Sequence, residues 1–144
     1  MTAIRYVPFA GRLLIGLPFA MSGLSKLGAI GPTTQAIRSV GLPFPTLALA
    51  VCVAVELGGG LLLIAGFKAR TVAAVLALFS LVTAVTFHSN FADQNQMINF
   101  LKNVMMAGGL LQIVAFGAGA LSVDNRHTAP KSVRVRHAVS DRAG

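Results

Sequence analysis

The chain has 144 residues, of which 55% are hydrophobic and only 11% charged, with a mean hydropathy of +0.75 and a formal net charge of +8. Soluble domains carry roughly 25% charged residues and use them to cover apolar surface, so an ordinary soluble globular protein is excluded. Disorder is excluded too, because a disordered segment needs low hydrophobicity.

The first apolar run covers residues 7–27, follows Arg5, and holds Arg12 near its start and Lys26 near its end. Arg12 interrupts the apolar stretch and no small-residue cleavage site stands before Lys26, so the run is expected to remain as a span rather than leave as a signal peptide. A polar connection, GAIGPTTQAIRSVGLPFP, is punctuated by Gly31, Pro32, Gly41, Pro43 and Pro45 and reads as a loop. The second run, 46–67, contains Cys52, Glu56 and a Gly58, Gly59, Gly60 triplet. Only Lys68, Ala69 and Arg70 separate it from the third, 71–87, which has no charge and whose Val, Thr and Phe content would suit a strand equally well. A strand would leave backbone groups unpaired in lipid, so a helix is predicted. Residues 88–96 lead to the fourth run, 97–121, which carries Lys102.

A helix needs about 20 residues to cross a bilayer core, and the four runs approach or exceed that length. The expected fold is therefore all-α: an antiparallel four-helix bundle integral to the membrane, formed by residues 1–124, with a basic flexible tail over 125–144. Neither a long internal repeat nor an inverted pair of hairpins is visible. With four spans, both termini and the 68–70 turn share one side. That side holds Arg5, Lys68, Arg70, Arg126, Lys131, Arg134, Arg136 and Arg142, whereas Lys26 and Arg38 lie opposite. The positive-inside rule then places both termini in the cytoplasm. The basic residues border apolar runs or sit in the tail, with no interleaved aromatics, and no nucleic-acid surface results. In the tail they enforce topology, with contact to anionic lipid a lesser role.

A charge at mid-span costs roughly 2.5–3.5 kcal/mol on insertion scales, so Arg12, Glu56 and Lys102 each need a reason. Glu56 is central in its span. Arg12 and Lys102 each lie roughly 8–9 Å from it in axial depth at the helical rise, from opposite sides. Arg12, Gly16, Phe19, Gly23 and Lys26 form one stripe on the first helix; Cys52, Glu56, Gly59 and Gly60 share a face of the second; Asn95, Asn99, Lys102, Met106 and Gly109 share one on the fourth. Small residues in such stripes allow close backbone approach. The functional expectation is a polar pocket in the bundle, lined by Glu56 with Arg12 or Lys102. The alternative has Glu56 and Arg12 neutralising each other to fix register, while Arg12 and Lys102 otherwise snorkel to the interfaces.

His88 closes the third run in FHSNFADQNQ and is a candidate proton-relay or ligand residue, although a headgroup-level histidine is the commoner case. No HxxxH, HExxH or cysteine cluster supports a metal site. The single Cys52 rules out an internal disulfide or CxxC pair and reads as a small packing residue. The glycine triplet lacks GxGxxG context and reads as helix packing.

Together GRLLIGLPFAMSGLSKL, ELGGGLLLIAGFKAR, FHSNF, FLKNVMMAGGLL and GAGALSVD resemble the DoxX family of small four-helix membrane proteins, over roughly residues 7–124. The resemblance implies a protein of the bacterial cytoplasmic membrane with an oxidoreductase label. The family takes its name from a subunit of a thiosulfate:quinone oxidoreductase, and some members are linked to oxidative-stress complexes. Arg12, Lys26, Glu56, His88, Lys102 and Asp124 match its recurrent polar positions. The implied role is a redox-associated membrane subunit, with a pocket formed by Arg12, Glu56, Lys102, His88 and Lys26. A quinone headgroup or small sulfur oxyanion would occupy it, and a redox partner protein or a second copy would accompany it. The competing class is non-enzymatic, a structural or scaffold subunit or a small transporter component, which the absence of cofactor motifs favours.

Overall fold

In lipid a backbone can satisfy its own polar groups by closing every hydrogen bond within the segment, and the four apolar runs do so as helices. The computed structural model describes residues 3–128. All regular structure among them is helical. The elements are α1 (Val7–Gly28), α2 (Ile30–Ser39), α3 (Pro45–Ala65), α4 (Ala69–Phe87), α5 (Gln94–Phe116) and α6 (Val123–Thr128), after a short 3₁₀ turn at Ala3–Arg5. Of these α1, α3, α4 and α5 are long and apolar enough to cross a membrane. The antiparallel order brings residues 3–6, 66–68 and 117–128 to one end, termed here the terminal end, and the 29–44 and 88–93 connections to the other, the loop end.

Three boundaries differ from the sequence expectation. The connection after α1 is not a loop throughout, since residues 30–39 are helical. Pro32 falls in the first turn, where its missing N–H removes no intrahelical bond. The fourth span ends at Phe116 rather than 121, because Gly117 and Gly119 adopt φ of 83° and 79° and turn the chain out of the helix. The first residues assigned to the tail belong to α6; the remainder, 129–144, lies outside the described residues. The second span holds a feature that periodicity does not reveal: between α-helical Pro45–Val53 and Gly59–Ala65, residues Ala54–Gly58 form a π-helical turn, with Glu56 at its middle.

The bundle is two tight helix pairs joined at a common core. α1 and α3 cross at glycines. A Cβ on Gly60 would lie 2.6 Å from the Gly16 carbonyl oxygen and 2.7 Å from Ala20 N, and one on Gly23 would lie 2.6 Å from Leu57 N. α4 packs along α5. Phe19, Leu63, Ala73, Leu76, Ala77, Ala107 and Leu110 are buried between the pairs. Leu14, Leu47, Leu78, Val85 and Met105 are exposed on the outer surface, as lipid-facing side chains should be.

Backbone contact at Gly60 leaves no flexible side chain to yield, so Gly60→Ala is expected to destabilise the bundle by about 1–3 kcal/mol, the usual cost of overpacking. Gly58→Ala, whose new Cβ would meet nothing within 4 Å, serves as the control and leaves stability unchanged or raised. Unfolding of both variants in the same detergent checks the contrast.

Candidate functional site

Placing Ser22 and Lys26 four residues apart stacks their side chains on one face of α1. That face is turned towards the π-helical turn of α3. Lys26 Nζ lies 2.7 Å from Glu56 Oε2 and donates to Ser22 Oγ at 2.9 Å. Ser22 Oγ in turn donates to Glu56 Oε1 at 3.1 Å. The three side chains form a closed polar triangle. Glu56 is only 6% exposed, whereas the Lys26 side chain keeps 24% of its surface accessible. A buried carboxylate without a cation would be strongly unfavourable, and the triangle supplies both the charge and the hydrogen bond it needs. π-turns occur frequently at functional sites.

The triangle forms one wall of a cavity of about 250 Å³ in the loop-end half of the bundle. All four spans line it. α1 contributes Pro18 and Phe19 beside Ser22 and Lys26; Phe79 and Thr83 come from α4; Asn99, Lys102, Asn103 and Met106 come from α5; His88 closes it just past the end of α4. His88 Nδ1 is 2.9 Å from Gln96 Oε1. The glutamine oxygen can only accept, so Nδ1 carries the hydrogen of this bond. Lys102 is exposed and has neither an ion pair nor a hydrogen bond among the described residues. Thus Lys26, Glu56, His88 and Lys102, four of the five residues expected to form the pocket, line the same cavity.

The fifth, Arg12, does not. Of the two basic neighbours expected for Glu56, Arg12 or Lys102, the structure corrects the first: it gives Glu56 to Lys26 and places Arg12 at the terminal end. There Arg12 is 1% exposed, with Nη1 donating to the Ala118 carbonyl at 2.6 Å and Nη2 to the Leu121 carbonyl. Its guanidinium also sits against Gly66, where any Cβ would collide with it. The physical reason is local demand for a donor. α3 and α5 both end here, and their C-terminal carbonyls carry partial negative charge. The irregular 117–122 segment adds buried carbonyls with no helical partner, which an arginine can satisfy in parallel.

Asp124 completes this second assembly. Its carboxylate accepts from the backbone N–H of Lys68 at 2.6 Å and of Ala69 at 2.8 Å, and so caps the start of α4 from across the bundle. Asp124 N donates to the Gly66 carbonyl at 3.0 Å, and Ser122 Oγ to the Gly119 carbonyl at 2.7 Å. A wider groove of about 950 Å³ runs beside this assembly, past Lys68, Arg70 and Asp124. It is larger than the loop-end cavity, but the intramembrane charges do not converge on it. Asn99 stands on the expected fourth-span stripe with Lys102 and Met106, whereas Ser22, Asn103 and Gln96 were not anticipated at the loop end. The four-residue spacing of Ser22 and Lys26 was the available signal for Ser22; the π-turn that aims Glu56 at them left none.

The DoxX family model matches residues 7–89, a stretch that includes Lys26, Glu56 and His88. The chain is 38% identical over 113 residues to inner membrane protein YqjF of Escherichia coli K12, covering 78% of this chain and 85% of that protein. It is 33% identical over 140 residues to inner membrane protein YphA of the same organism, covering 88% of this chain and all of that protein (100%). No solved structure matches it.

Removing the Arg12 guanidinium would orphan the Ala118 and Leu121 carbonyls, at about 1–3 kcal/mol for each buried group left unsatisfied. Arg12→Met is therefore expected to lower stability by about 3 kcal/mol. It should also open 117–128 to hydrogen exchange while leaving exchange around Ser22 and Glu56 unchanged. Exchange mass spectrometry in detergent reads both regions at once.

Proposed function

The chain belongs to the DoxX family, and we propose that it is a redox-associated subunit whose loop-end cavity receives a quinone headgroup. Its relatives are inner membrane proteins and four of its helices are long and apolar enough to cross a bilayer, so it is a multi-pass protein of the bacterial inner membrane. In this reading both termini lie in the cytoplasm, as the Lys and Arg distribution favours.

The observation that carries the reading is the convergence of Lys26, Glu56, His88 and Lys102 on one cavity whose other walls include Phe19, Phe79 and Met106. Ligand pockets are mostly apolar with a few placed polar groups, and this one has that composition. At about 250 Å³ it is smaller than the roughly 300–1,000 Å³ typical of drug-sized ligands. That size suits a ring headgroup whose tail stays in lipid. Phe19 and Phe79 offer aromatic faces to a flat ring. Lys102 supplies a donor, and His88 and Glu56 supply groups able to hold or move a proton. A quinone, when bound, supplies the electron-accepting chemistry; the electrons would come from a partner redox protein, because the sequence contains no flavin, haem or iron–sulfur motif.

The Arg12–Asp124 assembly favours a second reading, a purely structural subunit, since it shows that polar residues within this bundle also serve to tie helix ends together. The two readings differ in one measurement. Protein in lipid nanodiscs titrated with a short-chain ubiquinone is expected to show saturable binding, weakened about tenfold by Glu56→Gln, equivalent to about 1.4 kcal/mol. Absence of saturable binding, or binding that neither Glu56→Gln nor His88→Ala alters, would leave the structural reading in place.

A further inference from the structure

Charge and access distinguish this cavity further. Two lysines and one carboxylate face it, and the ion pair of Lys26 with Glu56 leaves Lys102 unmatched among the described residues. Should Glu56 take up a proton, the positive excess grows rather than vanishes. With both lysines charged, the lining never carries less than one net positive charge. A cation at membrane depth is stabilised by an anion or by water, and its presence in a cavity wall points to the charge of what the cavity holds.

Access comes from the packing of the two helix pairs. α1 and α5 touch only lightly. Their close approach is Ile15 over Gly109, where a Cβ on the glycine would lie 3.0 Å from Ile15 Cδ1. The cavity lies between the same two helices, with Pro18 and Ser22 on one side and Asn99 and Lys102 on the other. Pro18 and Lys102 are both exposed on the outside of the bundle, within spans that lipid surrounds. A passage between these two helices would reach the cavity at the depth of the acyl chains, beside Lys102.

We infer that the cavity is entered sideways from the bilayer, between α1 and α5, and that Lys102 selects ligands bearing a negative oxygen on a flat apolar body. The inference rests on the quinone-headgroup reading and names the charge class and route of that same site. Ligand oxygen and ammonium would form a charge-assisted hydrogen bond, one of the stronger kinds, in a wall largely removed from water. Phe19 and Phe79 would hold the apolar body. Lys102 acts here as a specificity-determining residue.

The test compares two probes of nearly the same shape, hydroxynaphthoquinone, which is ionised at neutral pH, and its uncharged parent naphthoquinone, against the full chain in nanodiscs of neutral lipid. The expected result is at least tenfold tighter binding of the ionised probe, reduced to near parity by Lys102→Gln and retained by Lys102→Arg. Equal affinity of the two probes for the unmodified protein would overturn selection by Lys102 while leaving the headgroup site standing. Failure of both to bind would overturn both readings. The unmodified protein alone gives this comparison, so it does not depend on a variant folding. Displacement of the ionised probe by equimolar thiosulfate, a water-borne anion without an apolar body, would contradict entry from lipid; retention of the probe supports it. A preference for the ionised probe that survives Lys102→Gln would assign Lys102 to lipid headgroups instead and overturn its role in the cavity.

Discussion

A carboxylate in the middle of a membrane span has to be answered from within the protein, and the answer to Glu56 organises the loop-end half of this bundle. Lys26 supplies the charge and Ser22 the hydrogen bond, both from one face of α1. To meet them, α3 must approach α1 closely, which the glycines at 16, 23 and 60 permit. The π-turn at Ala54–Gly58 sets the direction in which Glu56 leaves its helix. Side-chain chemistry, helix crossing and backbone irregularity thus meet at one point, and the cavity lies directly beside it.

The polar residues inside the spans divide into two assemblies with different characters. At the terminal end, Arg12 and Asp124 bind backbone: the Ala118 and Leu121 carbonyls of the irregular segment after α5 for one, the amides of Lys68 and Ala69 at the start of α4 for the other. Their partners are main-chain groups in different segments, which makes this end a clasp. At the loop end, the partners are side chains on different spans, and Lys102 and His88 line the same cavity. A membrane protein with few polar residues has used some to close the bundle and gathered others around the loop-end cavity.

Much of this was legible in the sequence. Four apolar runs, a short 68–70 turn and small-residue stripes are enough to specify an antiparallel bundle, and the stripe through Arg12, Gly16, Phe19 and Gly23 is the buried face of α1. Of the four residues now in the cavity wall with a formal charge or a titrating ring, Glu56 and Lys102 were picked because lipid tolerates such groups only for a reason, His88 as a relay or ligand candidate closing the third run, and Lys26 because it continues the α1 stripe. The partner of Glu56 was harder to read. Axial depth made Arg12 and Lys102 equally good candidates, but pairing is decided by rotation about the helix axis and by competing demands, here the carbonyls at 118 and 121. The end of the fourth span was also obscured, since GAGAL is apolar enough to continue a helix and only the positive φ of its glycines stops it. A π-turn leaves no periodic trace in so short a segment.

The assignment of Glu56 to Lys26 rather than Arg12 is the claim on which the cavity, its net charge and its separation from the terminal clasp all depend. Two double-mutant cycles in the same detergent measure it directly, pairing Glu56→Gln with Lys26→Met in one and with Arg12→Met in the other. Residues in one ion-pair network couple by about 0.5–3 kcal/mol, whereas distant residues are additive to within about 0.5 kcal/mol. The account predicts coupling of at least about 1 kcal/mol for Lys26 with Glu56 and additivity for Arg12 with Glu56. Coupling in the Arg12 cycle with additivity in the Lys26 cycle would contradict it.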